Sequence, residues 1–498
     1  MKPARFTCTS CASKVLHSTV SRISLLPQGV KASFAFFFAS LVTKGIAYVT
    51  TPVYTRLLTP DEFGQANVFL TWLHLLGLVA MFCLYCGVFN NGMVDYPDRR
   101  DEYSLSMLGL ANLITLVFSS IMLCIYPFLR KWMGMDYPLV ILMCVVFLFQ
   151  PGYSFWMSRQ RYELKWKGST FWTVFSSFLS PVVALVAILA FPAHRLHARL
   201  FGAEGALAVI YAGFCLHIAL KNRFRVNTAF WRQAFFFNLP LIPHYLSAYL
   251  LSSSDKLMIS RMIGDAATAY YSVAHSVAFV VLVVWTAAHA SLIPFIYENC
   301  KTKNYSTISK VTLPILAVFD ATCILLILLA PEAIALMATR DYREAIYVVP
   351  PVVAGVFFQV HYFLYADVLY YYKKPRYVMY GSIAAASANI ALNWLFIPRF
   401  GYIAAAWTTL VCYLLQAAID YWAMRRVIRE KIYDMRLVAL LSVLLCAIAF
   451  ICLFVYDTPA IRYALLGLLL LALFLLRDKV IHILTAFKTP RAPRHGSA

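Results

Sequence analysis

Apolar stretches of eighteen or more residues recur along the whole of this 498-residue chain, and the polar connections between them are no longer than about fourteen residues. A stretch of that length crosses a hydrocarbon layer about 30 Å thick. Lipid offers no partners for backbone N–H and C=O groups, so each stretch is predicted to be a helix. The pattern places spans near 32–53, 66–89, 104–127, 137–156, 170–191, 203–220, 234–256, 268–296, 311–330, 345–370, 377–397, 401–423, 437–456 and 461–476. The fold class expected is all-α, a polytopic membrane protein of about 14 transmembrane helices.

Composition agrees: 62% of the residues are hydrophobic and 13% charged, about half the charge of an ordinary soluble domain. The net charge of +21 raises the question of nucleic acid. With the N-terminus on the cytoplasmic side, 31 of the 43 Lys and Arg residues fall in the tails and inner connections, and ten in the outer ones. The outer set is Arg56, Arg130, Lys131, Arg195, Arg199, Arg261, Arg340, Arg343, Arg399 and Arg462; Lys44 and Lys256 lie within spans. This asymmetry follows the positive-inside rule and predicts cytoplasmic N- and C-termini. Charge spread thinly over many inner loops meets lipid headgroups, so no nucleic-acid partner is expected.

Two segments recur in order. Arg56-Leu-Leu-Thr-Pro-Asp-Glu-Phe-Gly64 after the first span matches Arg261-Met-Ile-Gly-Asp-Ala-Ala-Thr-Ala269 after the seventh, and Phe201-Gly-Ala-Glu-Gly-Ala206 matches Phe400-Gly-Tyr-Ile-Ala-Ala405. Their near-equal offsets indicate duplicated six-helix units, which enter the membrane from the same side because six is even. The organisation expected is a basic cytoplasmic tail (1–31), an N-lobe (32–232), a C-lobe (233–424), two further spans (425–484) and a second cytoplasmic tail (485–498). Two similar bundles about a cleft point to transport, by analogy.

Ionisable residues inside spans are the candidate chemistry. Lys44 lies about ten residues, or about 15 Å, into the first span, too deep for its stem to reach the boundary. It is expected to face a wet cavity or to form a buried pair, with Asp320 of the ninth span the candidate partner and the candidate ion-coupling residue. Asp255 and Lys256 end the seventh span; Lys256 is close enough to the outer surface to snorkel, and Asp255 is expected to pair with Arg261 or cap a helix end. The same span carries Pro240-Leu-Ile-Pro243-His244. Two prolines three apart bend a helix, so His244, Tyr245, Ser247 and Asp255 are expected along a cavity wall. Asp367 and Asp420 sit near inner span ends and are expected to reach water. Thr59-Pro60-Asp61-Glu62 resembles an acidic site but reads better as a capping box opening the second span.

Seven of the twelve cysteines lie in spans, where they act as small hydrophobes. The C-x-x-C pairs Cys8/Cys11 and Cys83/Cys86 together have the spacing of a four-thiolate zinc site, with chance the better explanation. No metal, no cofactor and no catalytic residue is expected.

Thr51-Pro-Val-Tyr-Thr-Arg-Leu-Leu-Thr-Pro-Asp-Glu-Phe-Gly64, Ser254-Asp-Lys-Leu-Met-Ile-Ser-Arg-Met-Ile-Gly264 with Ala269-Tyr-Tyr-Ser-Val-Ala274, and the segment Asn393 to Ala406 resemble the bacterial polysaccharide flippases of the multidrug/oligosaccharidyl-lipid/polysaccharide exporter superfamily. The resemblance covers about 45–425. It implies two six-helix lobes around a cavity lined largely by spans 1, 2, 7 and 8, in the bacterial inner membrane. It further implies alternating access that carries an undecaprenyl-pyrophosphate-linked oligosaccharide outward for surface polysaccharide synthesis, alongside polymerase and assembly proteins. The cavity residues expected are Lys44, Arg56, His244, Asp255, Lys256 and Arg261. A drug or ion antiporter of the same superfamily and a polyprenyl-linked glycan polymerase or ligase are the alternatives.

Overall fold

The computed structural model describes residues 28–221 and 226–486, and every regular element among them is helical. The predicted 1–31 tail, with Cys8 and Cys11, and the 485–498 tail lie almost wholly outside the described residues. The first group of helices is α1 (Gln28–Leu57), α2 (Pro60–Ala80), α3 (Val88–Asp95), α4 (Arg100–Met133), α5 (Tyr137–Tyr162), α6 (Trp166–Ala190) and α7 (Arg195–Lys221). The second comprises α8 (Ala229–Asn238), α9 (Ile242–Met262), α10 (Asp265–Lys301), α11 (Tyr305–Leu328), α12 (Ala330–Met337), α13 (Val349–Tyr371), α14 (Pro375–Phe400) and α15 (Tyr402–Val427). Two more, α16 (Met435–Val455) and α17 (Pro459–Ala486), follow. Thirteen helices of the described residues are long and apolar enough to cross a membrane, and the fourteenth predicted span appears as a shorter apolar stretch, Pro459–Leu475.

Two predicted spans are broken. The second runs through α2, an irregular turn at 81–87 and α3; the turn holds Phe82 and Cys83 at φ 53° and 48°. The seventh breaks at the prolines, where a 3-10 turn (Leu239–Leu241) separates α8 from α9, because Pro240 and Pro243 cannot donate the hydrogen bonds that continuity needs. Asn238 links the two breaks, donating from Nδ2 to the Phe82 carbonyl at 2.9 Å.

α1–α7 pack among themselves and α9–α15 pack among themselves, while α2 against α9 and α10 forms most of the seam between the groups. α8 belongs by contact to the first group: Trp231 Nε1 donates to the Ser106 carbonyl at 2.8 Å and Tyr96 Oη to Gln233 Oε1 at 3.1 Å. α17 is tied to α12 by the Arg462 guanidinium, whose Nη2 donates to Glu332 Oε1 at 2.6 Å. That hydrogen bond holds the Glu332 carboxyl down at about 2.

The capping box at Thr59 forms as predicted: Glu62 N donates to Thr59 Oγ1 at 3.2 Å, and Thr59 N to Glu62 Oε2 at 2.9 Å. Asp61 is left free to accept from the Ala266 N–H, at 3.2 Å, in the first turn of α10. A carboxylate at a helix N-terminus is favoured there by the unpaired N–H groups. The two matching segments of the repeat thus meet. Gly64 makes the meeting possible, since a Cβ at that position would lie 1.8 Å from the Asp265 carbonyl oxygen.

Gly64→Val is therefore expected to prise the groups apart at this end. In a cysteine-free background, spin labels at Tyr137→Cys and Arg340→Cys should show a longer, broader distance distribution in the variant. An unchanged distribution contradicts this role for Gly64.

Candidate functional site

Mid-way along the seam, polar side chains from both groups face one another. Lys44 lies near the middle of α1, which Thr43 anchors to α6 through Ser177 (Oγ1 to Oγ, 2.8 Å). Its Nζ sits 5.7 Å from the centroid of the Phe279 ring on α10, across the seam. Phe279 stacks on His275 at 5.9 Å between centroids, and His275 lies beside Tyr271 at 6.2 Å. Lys256 of α9 is near enough for its charge to act on the imidazoles of both His275 and His74. His74, on α2, completes the group by stacking on Tyr249 of α9 at 6.3 Å. Tyr249 in turn donates to the Thr71 carbonyl at 3.2 Å.

His74 is exposed, and Lys44, Lys256, His275, Ser252 and Ser253 keep partial exposure, although all lie well inside their helices. Neither lysine ammonium makes a hydrogen bond or ion pair with another described residue, although the charge of the adjacent Asp255 acts on Lys256. Cation–π contact with Phe279 contributes about 0.5–1 kcal/mol at such a site, well below the cost of a mid-membrane charge, on the order of 3 kcal/mol or more. The arrangement is stable only if the seam is wet. Chemically it is a fixed positive site with two imidazoles that add charge on protonation.

One end of the seam is shut. Arg56 and Arg261, equivalent positions of the repeat, each reach across it. Arg56 Nη2 donates to the Leu336 carbonyl at 3.4 Å and Nη1 to its own helix at Pro52 (2.8 Å). Arg261 Nη1 donates to the Lys131 carbonyl at 3.2 Å. The Arg261 guanidinium fills the space over Gly134, where a Cβ would stand 1.7 Å from Nη2. Thr55 adds a bond to the Met337 carbonyl at 2.8 Å. Beneath this reciprocal clasp lies Arg199, 7% exposed, sandwiched 4.4 Å from the Tyr54 ring centroid and 4.9 Å from that of Phe63. Phe63 meets Tyr342 of the second group edge-on at 6.3 Å.

Several predicted placements change. Arg199 was assigned to an outer loop and is instead a buried plug residue. Arg56 and Arg261, expected in outer connections and as cavity candidates, lie in the clasp. Lys256, partly exposed near the end of α9, lies within charge reach of the two imidazoles. Asp255 is 1% exposed and turned away from the seam. It accepts from Tyr271 Oη (2.5 Å), Asn393 Nδ2 (2.6 Å) and Thr409 Oγ1 (2.7 Å), and pairs with neither Arg261 nor a helix end. The Lys44–Asp320 pair does not form: Asp320 is buried on α11, its charge reaching Cys323 and Cys446. His244 lies just past the break, its Nδ1 buried without a partner and its ring 5.5 Å from that of Tyr245. Asp367 and Asp420 do not reach water; they are 6% and 0% exposed. Sequence reasoning missed His275, for which the i, i+4, i+8 series Tyr271, His275, Phe279 was the available signal. No cluster of three or more His, Cys, Asp or Glu suited to a metal occurs among the described residues.

The clasp bonds are exposed and each contributes about 1 kcal/mol. Removing both arginines is expected to raise the population open at this end several-fold. An impermeant maleimide applied to that side should label Ser253→Cys faster in Arg56→Ala/Arg261→Ala than in the parent. Equal labelling rates contradict the clasp.

The lipid II flippase MurJ, in an inward closed conformation, matches this chain with a TM-score of 0.65 at 13% identity, covering 91% of this chain and 100% of that one. A multidrug resistance MATE family transporter of the MOP superfamily matches in its inward-facing form with a TM-score of 0.58 at 12% identity (80% and 95% covered). In its outward-facing form the values are 0.55 and 13% (83% and 96% covered). These likenesses concern the fold. Among curated proteins none matches the chain in sequence. The family described as "Polysaccharide biosynthesis protein" matches residues 30–300, more than half of the chain. With its seam between two helical groups whose fold is similar to those of MurJ and the MATE transporter, this multi-pass membrane protein belongs to the polysaccharide biosynthesis protein family.

Proposed function

We propose that the chain moves an undecaprenyl-pyrophosphate-linked oligosaccharide from the inner to the outer leaflet of the bacterial inner membrane, by alternating access. The observation that carries this reading is the pair of lysines between the two helical groups, Lys44 near the middle of α1 and Lys256 six residues before the end of α9, neither in an ion pair, with His74 and His275 within reach of the Lys256 charge. A pyrophosphate bears at least two negative charges, and its unaided passage through hydrocarbon costs tens of kcal/mol. Fixed ammonium groups in a wet seam lower that barrier. Lysine suits the task because its compact charge attracts pyrophosphate without fixing one bidentate orientation, which helps a cargo that must also leave.

The positive-inside count assigns the clasped end to the outer face. In that orientation the cargo headgroup enters from the cytoplasm, its polyprenyl tail remaining in lipid. Release then requires the clasp of Arg56 and Arg261 to part while the opposite end closes, and the break at Leu239–Leu241 supplies a bend in a helix that contacts both lobes. A cationic drug is repelled by the same lysines, which disfavours the antiporter reading.

The test is complementation of a strain lacking its polysaccharide flippase, with wild type, Lys44→Ala and Lys256→Ala at matched membrane levels. Wild type is expected to restore surface glycan, each single variant to lower it severalfold, and the double variant to abolish it. Restoration by the double variant contradicts the cationic seam. Failure of wild type in several strains, with altered length or linkage of lipid-linked precursors, favours an enzyme.

A further inference from the structure

Asp420 stands two turns before the end of α15, and it is 0% exposed. Neither of its carboxyl oxygens has a hydrogen-bond partner. The side chain presses on α14 so closely that a Cβ on Gly381 would lie 2.9 Å from Oδ1. Two of the polar groups around it are committed to each other. Gln416 Nε2 donates to Ser382 Oγ at 3.0 Å. Tyr362 and Tyr370 of α13 lie close enough to Asp420 for its charge to act on both, and from α14 Gly381 lies directly against it. The nearest other carboxylate on α13, Asp367, is paired with His289 of α10 at 2.7 Å. No Lys, Arg or His pairs with Asp420 among the described residues.

Asp255 supplies the contrast within the same lobe. It is equally buried, and three donors meet its two oxygens, which stabilises the ionised form. Asp420 has none. A bare carboxylate in that position is the most costly of its states, so the charge must be neutralised. A metal ion needs about six converging oxygens, and here the Gln416 amide is already bonded to Ser382 and no second carboxylate joins Asp420 in a metal-suited cluster among the described residues.

We infer that Asp420 is a proton-binding site of the C-lobe, holding a neutral carboxyl group between α13, α14 and α15 in this conformation. Its place near the unclasped end lets the proton exchange when those three helices part there. Loss of the proton leaves an unsolvated charge on Gly381, so the tight packing of the three helices and the bound proton require each other. The protonation stands independently of the cargo; only a role in driving transport rests on the flippase reading.

Infrared spectroscopy of the purified full-length chain in lipid nanodiscs tests this near neutral pH. Wild type is expected to show a protonated-carboxyl band that Asp420→Asn removes, while exchange of sodium for potassium or choline at constant pH leaves it unchanged. Gly381→Ala, which presses a methyl group on Oδ1, should shift the same band without abolishing it, and serves if Asp420→Asn does not fold. A band that survives Asp420→Asn overturns the proposal, as does one unmoved by Gly381→Ala. A band that falls when sodium is added at constant pH overturns it too, by making Asp420 a metal site. Because the readout needs no cargo, failure here and failure of the flippase reading are separable.

Discussion

A fixed ammonium charge cannot rest in hydrocarbon, and most of what is distinctive in this molecule follows from that constraint. Lys44 lies near the middle of its helix and Lys256 six residues before the end of its own, and neither is in ion-pair contact with a carboxylate among the described residues. Their stability requires water along the seam between two helical groups. A wet seam in a membrane protein must be shut at one end, or it leaks. The clasp of Arg56 and Arg261, with Arg199 plugged beneath it, shuts that end with main-chain carbonyls as acceptors. Such bonds are individually weak and exposed, as suits a closure that has to open.

Two matching segments of the sequence build the closure. The same segment, 205 residues apart, supplies both arginines and also brings Asp61 to the Ala266 N–H. Each segment therefore completes the other, and the two matching helix starts serve as the halves of a latch. Gly64 is the steric condition for it, since no side chain fits against the Asp265 carbonyl.

Much of this was legible in the sequence. The all-helical, many-span class follows from apolar length, with thirteen of the fourteen expected spans long and apolar enough among the described residues, and the bend in the seventh follows from Pro240 and Pro243. The capping box at Thr59 and the mid-membrane position of Lys44 were equally plain. Pairing was not legible. Asp255 and Lys256 are consecutive, and a rotation of about 100° per residue sends one into the C-lobe core and the other toward the seam. Nothing local announces that Asn389, Asn393 and Thr409, more than a hundred residues on, will surround the first. Arg199 and Asp420 misled for a related reason: closeness to a span end in sequence says little about solvent where a neighbouring helix covers that end.

The central claim is that the seam recognises a pyrophosphate-bearing lipid by its charge. The most direct measurement is native mass spectrometry of the purified chain titrated with undecaprenyl pyrophosphate and with undecaprenyl monophosphate. The account expects the pyrophosphate to bind more tightly by tenfold or more, with that preference lost in Lys44→Gln/Lys256→Gln. Equal binding of the two lipids, or a preference that survives in the double variant, would contradict it.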